Sequence, residues 1–235
     1  MTESTDVAET ENEAGAFDSL GRDDYLKESI INELNWDPRI DAAHVCVTSE
    51  NGTVTLTGYV SAYPEIFQIR EAVCRLRGVR AIADELQVRL RDADKRDDNT
   101  LAGNVAAILD SIATVEDSRL QASVSNGSVL LTGEVDWQYQ RKHLEDQVAW
   151  LKGVRCVVNR VELRKRQLPD DLQDQIQAAL ARNAELAGTH INVTIEDDVL
   201  ILSGQVTAFY ERNLVEATAW QAPGVKRIID RIQVI

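Results

Sequence analysis

A five-residue phrase occurs three times in this chain of 235 residues, as LTGYV, LTGEV and LSGQV. In each copy a second glycine, followed by valine, lies 20 residues beyond the glycine of the phrase. The six glycines are Gly58 and Gly78, Gly133 and Gly153, and Gly204 and Gly224. Equal spacing in three copies indicates internal repetition. The chain is therefore predicted to fold as three tandem units.

Each unit is predicted to run helix, strand, strand, helix, strand. In the first unit the opening segment places Leu26, Ile30 and Leu34 at i, i+4 and i+8, which gives a helix one apolar face. An alternating run through Val45 and Val47 follows, and a period of two indicates a strand with one buried face. The corresponding positions of the other two copies repeat both patterns.

Turn and cap residues mark the boundaries of these elements. Asn-Gly is a strong hairpin signal, because both central residues of a type I′ turn need positive φ. The three turns are Asn51-Gly52, Asn126-Gly127 and the weaker Asp197-Asp198. The predicted N-caps of the second helix are Ser61, Asp136 and Thr207. The glycine of the phrase is interpreted as structural, needed for unusual φ or close backbone approach, and the second glycine as the helix C′ residue.

The predicted fold class is α+β, with three tandem αββαβ units, each with two helices packed on a small three-stranded mixed sheet. The units are predicted at 23–90, 98–163 and 170–235, separated by linkers at 91–97 and, with basic residues, at 164–169. Residues 1–22 are acidic and polar, so this tail is predicted to be disordered.

Net charge and composition limit the kinds of partner and the cellular location that can be expected. The net charge of −14 disfavours nucleic acid, whose binding needs cations against phosphates, and weakens attraction to anionic lipid. The N-terminal residues lack a basic region and an apolar core, so a secretory signal is not expected, and neither is a transmembrane segment of about 20 apolar residues. Cys46, Cys74 and Cys156 form no CxxC pair. A cytoplasmic location is predicted, unless the true start lies upstream.

Catalytic chemistry finds little support in the residue pattern. His44 and His190 precede corresponding strands and His143 lies on a helix, which does not make a metal site without further ligands. No nucleophile and base can be paired from the sequence. Weak candidates for a Ca²⁺ or K⁺ site are Glu196, Asp197 and Asp198 in the third hairpin. The chain is predicted to be non-enzymatic and to need no cofactor.

Aromatic residues are few, and some gather where the second helix of a unit begins. The middle unit carries Trp137, Tyr139, Arg141 and Lys142 there, which are candidates for contact with lipid or with a protein partner. Packing between neighbouring repeats is the alternative, and it is favoured because a tandem array must bury surfaces between its units. Three further tryptophans are interpreted as packing residues: Trp36, Trp150 and Trp220.

The repeat resembles the BON domain. The resemblance lies in the αββαβ order, the pattern G-x-V-x-L-x-G-x-V, the later Gly-Val, and the closing segments IADELQV, VVNRVEL and IIDRIQV. The resemblance implies that the protein binds a partner and does not catalyse a reaction. The partners it implies are phospholipid or membrane surfaces, and the setting is osmotic stress and envelope maintenance. The expected function is therefore a non-enzymatic binding or scaffold protein that contacts phospholipid or another protein. The alternatives are a chaperone-like protein that binds apolar segments and a protein that responds to K⁺ or Ca²⁺.

Overall fold

The computed structural model describes residues 6–112, 120–164, 169, 171–186, 188–196 and 199–235, with the backbone alone for 6–20 and 112. The first unit consists of α1 (Asp6–Trp36), β1 (Val45–Glu50), β2 (Thr53–Val60), α2 (Tyr63–Cys74) and β3 (Ala81–Val88). The second consists of α3 (Asp98–Ile112), β4 (Gln121–Ser125), β5 (Ser128–Val135), α4 (Gln138–Ala149) and β6 (Cys156–Leu163). The third consists of α5 (Leu172–Arg182), β7 (His190–Glu196), β8 (Val199–Val206), α6 (Phe209–Trp220) and β9 (Ile228–Val234).

The three sheets share one topology, which confirms the predicted fold class. In each sheet the second strand is central, pairing antiparallel with the first strand and parallel with the third. Antiparallel neighbours need only a tight turn, whereas parallel neighbours need a crossover, and the second helix of the unit provides it. Each unit buries its own apolar core between the inner face of its sheet and its two helices.

The first two hairpins turn at Asn-Gly, as predicted, and each is held by a carboxylate from the first helix. Asn51 and Gly52 have φ of 50° and 77°. Their backbone N–H groups donate to the carboxylate of Asp23 over 2.7 and 3.1 Å. The bond from Gly52 is the main cause that lowers the pKa of Asp23 below its ordinary value. Asp98 accepts the same pair of bonds from the turn of the second unit. Residues 197 and 198, the predicted third turn, lie outside the described residues.

The glycine of the repeated phrase meets a backbone carbonyl of the first strand. Gly58 has a φ of 112°, and a β-carbon there would collide with the backbone oxygen of His44. Gly204 has a φ of 141° and the same relation to the oxygen of His190. Both requirements exclude a side chain, which explains why the phrase keeps its glycine.

Two details of the second helix differ from the prediction. The N-caps lie one residue later than predicted, at Ala62, Trp137 and Ala208. In the third unit Glu211 accepts hydrogen bonds from the backbone N–H groups of Thr207 and Ala208, so a helix side chain caps the turn instead of the predicted hydroxyl. The second glycine of each unit has positive φ but lies in the turn beyond the helix, because the helix already ends before it.

Helix α1 begins at Asp6, within the acidic segment that composition predicts to be disordered. Its packed face begins at Leu26, which is 6 % exposed. Within the described residues, no helix combines the length and the apolar character that crossing a membrane requires.

Helix α2 connects the units. Its Tyr63 and Phe67 pack against the core of the second unit, and the Tyr63 hydroxyl donates to the backbone oxygen of Val157 over 3.4 Å. The helix also packs against α6 of the third unit, where the Cys74 thiol and the Asn213 side chain share a hydrogen bond. Burial raises the pKa of the Cys74 thiol above its ordinary value, and this hydrogen bond opposes the shift.

Candidate contact surface on helix α4

Helix α4 is anchored to the second unit by one side. Leu144 and Val148 are fully buried, and Ala149 is 3 % exposed. The start of the helix is held by Gln140, whose side-chain oxygen accepts from the backbone N–H groups of Asp136 and Trp137 over 3.1 and 3.0 Å. Since a helix turns once in 3.6 residues, the side opposite this anchor faces away from the core.

The outward side of α4 carries two exposed aromatic rings with charged groups between them. Tyr139 is 68 % exposed and Trp150, which caps the C-terminus, is 67 % exposed. Lys142, His143 and Asp146 lie between them and are also exposed. Spacings of three, four and four residues from Tyr139 through Trp150 place these side chains on one stripe of about 16 Å. We call these five residues the α4 face.

The structure separates the four candidate residues predicted from the sequence. Tyr139 and Lys142 lie on the α4 face. Trp137 is the half-buried N-cap of the helix, and Arg141 is half-buried on the side towards the sheet. The backbone oxygen of Arg141 accepts a hydrogen bond of 3.1 Å from Asn159, which belongs to β6. A role of these residues in binding stays a prediction.

Sequence reasoning missed Trp150. Its interpretation as a packing residue is wrong, as is that of Trp36, which is 84 % exposed. Trp220 does pack on the core of the third unit, and its indole N–H donates to Glu216 over 3.1 Å. The helical spacing between Tyr139 and Trp150, opposite the buried Leu144, is the signal that could have identified the α4 face.

The corresponding sides of the other two second helices differ from the α4 face. In α2 the position of Tyr139 is held by Pro64, which is buried, and the position of Lys142 by Phe67, which packs on the second unit. In α6 the position of Tyr139 is held by Tyr210, which is half-buried, and that of Trp150 by Gln221, with the short residues Asn213 and Ala217 between them. The α4 face is thus the version that keeps two exposed aromatic rings.

Helix α1 offers an internal comparison. Tyr25 and Trp36 are 75 % and 84 % exposed, and they are 11 residues apart, as are Tyr139 and Trp150. The polar positions between them carry Glu28 and Asn32, in place of a cation and an anion. The two stripes therefore share aromatic content and spacing but differ in charge.

The histidines lie in separate places. His44 stacks on Tyr59 with ring centroids 4.4 Å apart, and the guanidinium of Arg89 lies 4.1 Å from the same ring. His143 and His190 are exposed on different units. Among the described residues, no three His, Cys, Asp or Glu side chains are grouped so that they could hold a metal ion. Of the weak metal candidates, Glu196 ends β7, whereas 197 and 198 lie outside the described residues.

The sequence matches one protein family and has low sequence identity to a protein from Anaplasma centrale. The BON domain matches residues 22–89, 97–165 and 170–235. An uncharacterised protein of the gshII 5′ region of Anaplasma centrale is 28 % identical over 124 residues, which are 49 % of this chain and 82 % of that protein.

Two solved structures are similar at low TM-scores. CdsD, a structural protein of the type III secretion system of Chlamydia trachomatis, is 15 % identical with a TM-score of 0.23, covering 88 % of this chain and 91 % of that chain. The PrgH periplasmic domain is 10 % identical with a TM-score of 0.21, covering 81 % and 95 %. TM-scores this low carry no inference about function.

Proposed function

Because the chain belongs to the BON domain family, with three copies of the domain, we propose that it is a non-enzymatic binding and scaffold protein that works through the α4 face. There it contacts phospholipid or a protein partner. The setting that the family resemblance implies is osmotic or envelope stress.

The observation that carries this proposal is the joint exposure of Tyr139 and Trp150 on one side of a helix whose other side is locked into a core. Large aromatic side chains bury much apolar area when they are covered, and they dominate the energetics of many interfaces. Tyr and Trp also suit the boundary between water and lipid, since each has an apolar ring and a polar atom.

The charges favour contact through the rings over long-range attraction. The α4 face carries one lysine and one aspartate, so its charges nearly cancel, while the whole chain carries −14. A contact of this kind depends on buried apolar area and should change little with ionic strength.

The surroundings of the α4 face support binding rather than catalysis. His143 stands in open solvent on a helix surface. Catalytic groups act in concave sites that exclude water, where low polarity strengthens their interactions with the reacting atoms. A convex helix side gives none of this, but its exposed rings can contact a partner.

Vesicle co-sedimentation tests the lipid branch. Vesicles of phosphatidylglycerol or cardiolipin, and of phosphatidylcholine for comparison, would be mixed with the full chain at low and at physiological salt. We expect the double variant Tyr139→Ala/Trp150→Ala to lose binding, while the matched control Tyr25→Ala/Trp36→Ala keeps it. If the α4 variant changes neither vesicle binding nor the protein contact described below, the proposed function is refuted.

A further inference from the structure

We propose that the protein partner of the α4 face is the α4 face of a second copy of this chain, packed antiparallel about a two-fold axis. The inference rests on the proposed function, because it names what that surface contacts. Three features of the chain support it: the placement of the rings, the placement of the charges, and the way α2 and α6 already pair.

When two α4 helices run in opposite directions, each Tyr139 ring can pack against a Trp150 ring of the other copy. If the axis passes between Leu144 and Glu145, Tyr139 of one copy faces Trp150 of the other, and the two-fold axis repeats the pair. Both rings are about two-thirds exposed in the single chain, so each is available for this contact. Such an interface is isologous, and it closes at two copies instead of growing into a filament.

The charges are complementary in the same arrangement. Asp146 of one copy lies opposite His143 of the other and next to its Lys142, so the anion meets the basic end of the stripe. The axis again repeats the pair. Opposite charges across an interface fix its register, and like charges there oppose association.

The stripe on α1 lacks this property. An antiparallel pair of α1 helices that matches Tyr25 with Trp36 places Asn32 opposite Ser29 of the other copy, where the α4 pair has Asp146 opposite His143. The α1 stripe therefore has no pair of opposite charges across the axis. The two stripes have the same aromatic residues at the same spacing, and charge separates them.

The chain already uses its second helices to join units. Helices α2 and α6, the counterparts of α4, pack against each other between the first and third units. Two helix surfaces pack by fitting the side-chain ridges of one into the grooves of the other, and this requires no special sequence beyond matching shapes. The residues of the α4 face are exposed in the single chain, so a second copy can cover them by packing one helix on another.

The contact is small. A helix of 12 residues is about 18 Å long, so a single helix pair is short of the roughly 1,600 Å² of a standard stable interface. We therefore expect a weak dimer whose population rises with protein concentration. A membrane surface or local crowding would favour the dimer.

Sedimentation equilibrium of the full chain tests the dimer. The concentration would be raised to the order of 1 mM, so that a dimer with a Kd in that range is still detected. We expect the average mass to rise from 26.2 kDa towards twice that value. Tyr139→Ala/Trp150→Ala and the single change Asp146→Lys should each weaken association about tenfold or more. The exchange Lys142→Asp/Asp146→Lys should restore it, and Tyr25→Ala/Trp36→Ala should leave it unchanged. Circular dichroism would confirm that each variant is folded.

The inference is overturned if the wild-type chain stays monomeric, if the α1 variant abolishes the dimer, or if the charge exchange fails to restore association. A monomer whose α4 variant loses vesicle binding would leave the proposed function standing, with lipid as the partner. A monomer that also binds no vesicles would refute both.

Discussion

Replacing Gly58 with alanine tests why the repeated phrase keeps a glycine. The residue has a φ of 112°, a conformation that L-residues rarely adopt, and the added methyl group would collide with the backbone oxygen of His44. Such a backbone conformation costs about 1–3 kcal/mol for a residue with a side chain. Moving the neighbouring strand to relieve the collision distorts its geometry, which adds about 1 kcal/mol. The expected loss in the free energy of unfolding of the first unit is therefore about 2–4 kcal/mol.

Differential scanning calorimetry measures this loss directly. A unit of this size changes its Tm by about 4–8 °C for each kcal/mol, so a loss of about 2–4 kcal/mol should lower the transition of the first unit by roughly 8–32 °C. The matched control is Gly103→Ala, because Gly103 is exposed in α3 and a β-carbon there meets no atom within 4 Å. Alanine is the better helix former, so this control should gain up to about 1 kcal/mol. A loss below about 0.5 kcal/mol for Gly58→Ala, typical of a neutral surface change, would refute the steric explanation.

Three further predictions follow from named contacts. The carboxylate of Asp37 binds Arg39 over 2.6 Å, and this bond lowers the pKa of Asp37 to about 2. The pKa of Asp37 is lower in the folded state than in the unfolded state. The bond to Arg39 therefore stabilises the fold above about pH 4, and this stabilisation is lost as pH falls towards 2. The difference in Tm between the wild type and Asp37→Asn should vanish over that window, and a constant difference would contradict it. Phe67→Ala removes a ring packed on the second unit, which should cost about 1–2 kcal/mol and move the calorimetric transitions of the first two units further apart. An unchanged calorimetric profile would argue against this contact. Asp98→Ala removes the acceptor of two turn N–H groups and should lower the free energy of unfolding of the second unit by about 1–2 kcal/mol in urea titration. The neighbouring exposed Asn99→Ala serves as its control.

The candidate surface was only partly predictable. Tyr139 and Lys142 were singled out by their residue types at the start of a helix, and both lie on the α4 face. The interpretation of Trp150 as a core or inter-unit packing residue rests on its near alignment with Trp220 at the end of the second helix. Whether a ring is covered depends on which unit lies over it, and no local pattern in the helix records that.

The sequence by itself determined the architecture of the unit. The strand and helix periods, the Asn-Gly turns and the glycine of the phrase act over a few residues, so each copy specifies its own hairpin, crossover and core. The tertiary structure alone decided how the copies meet. It placed Tyr63 and Phe67 of α2 on the second unit, paired α2 with α6, and left the α4 face uncovered. The three copies share one sheet topology, but contacts between them depend on surface side chains that differ from copy to copy.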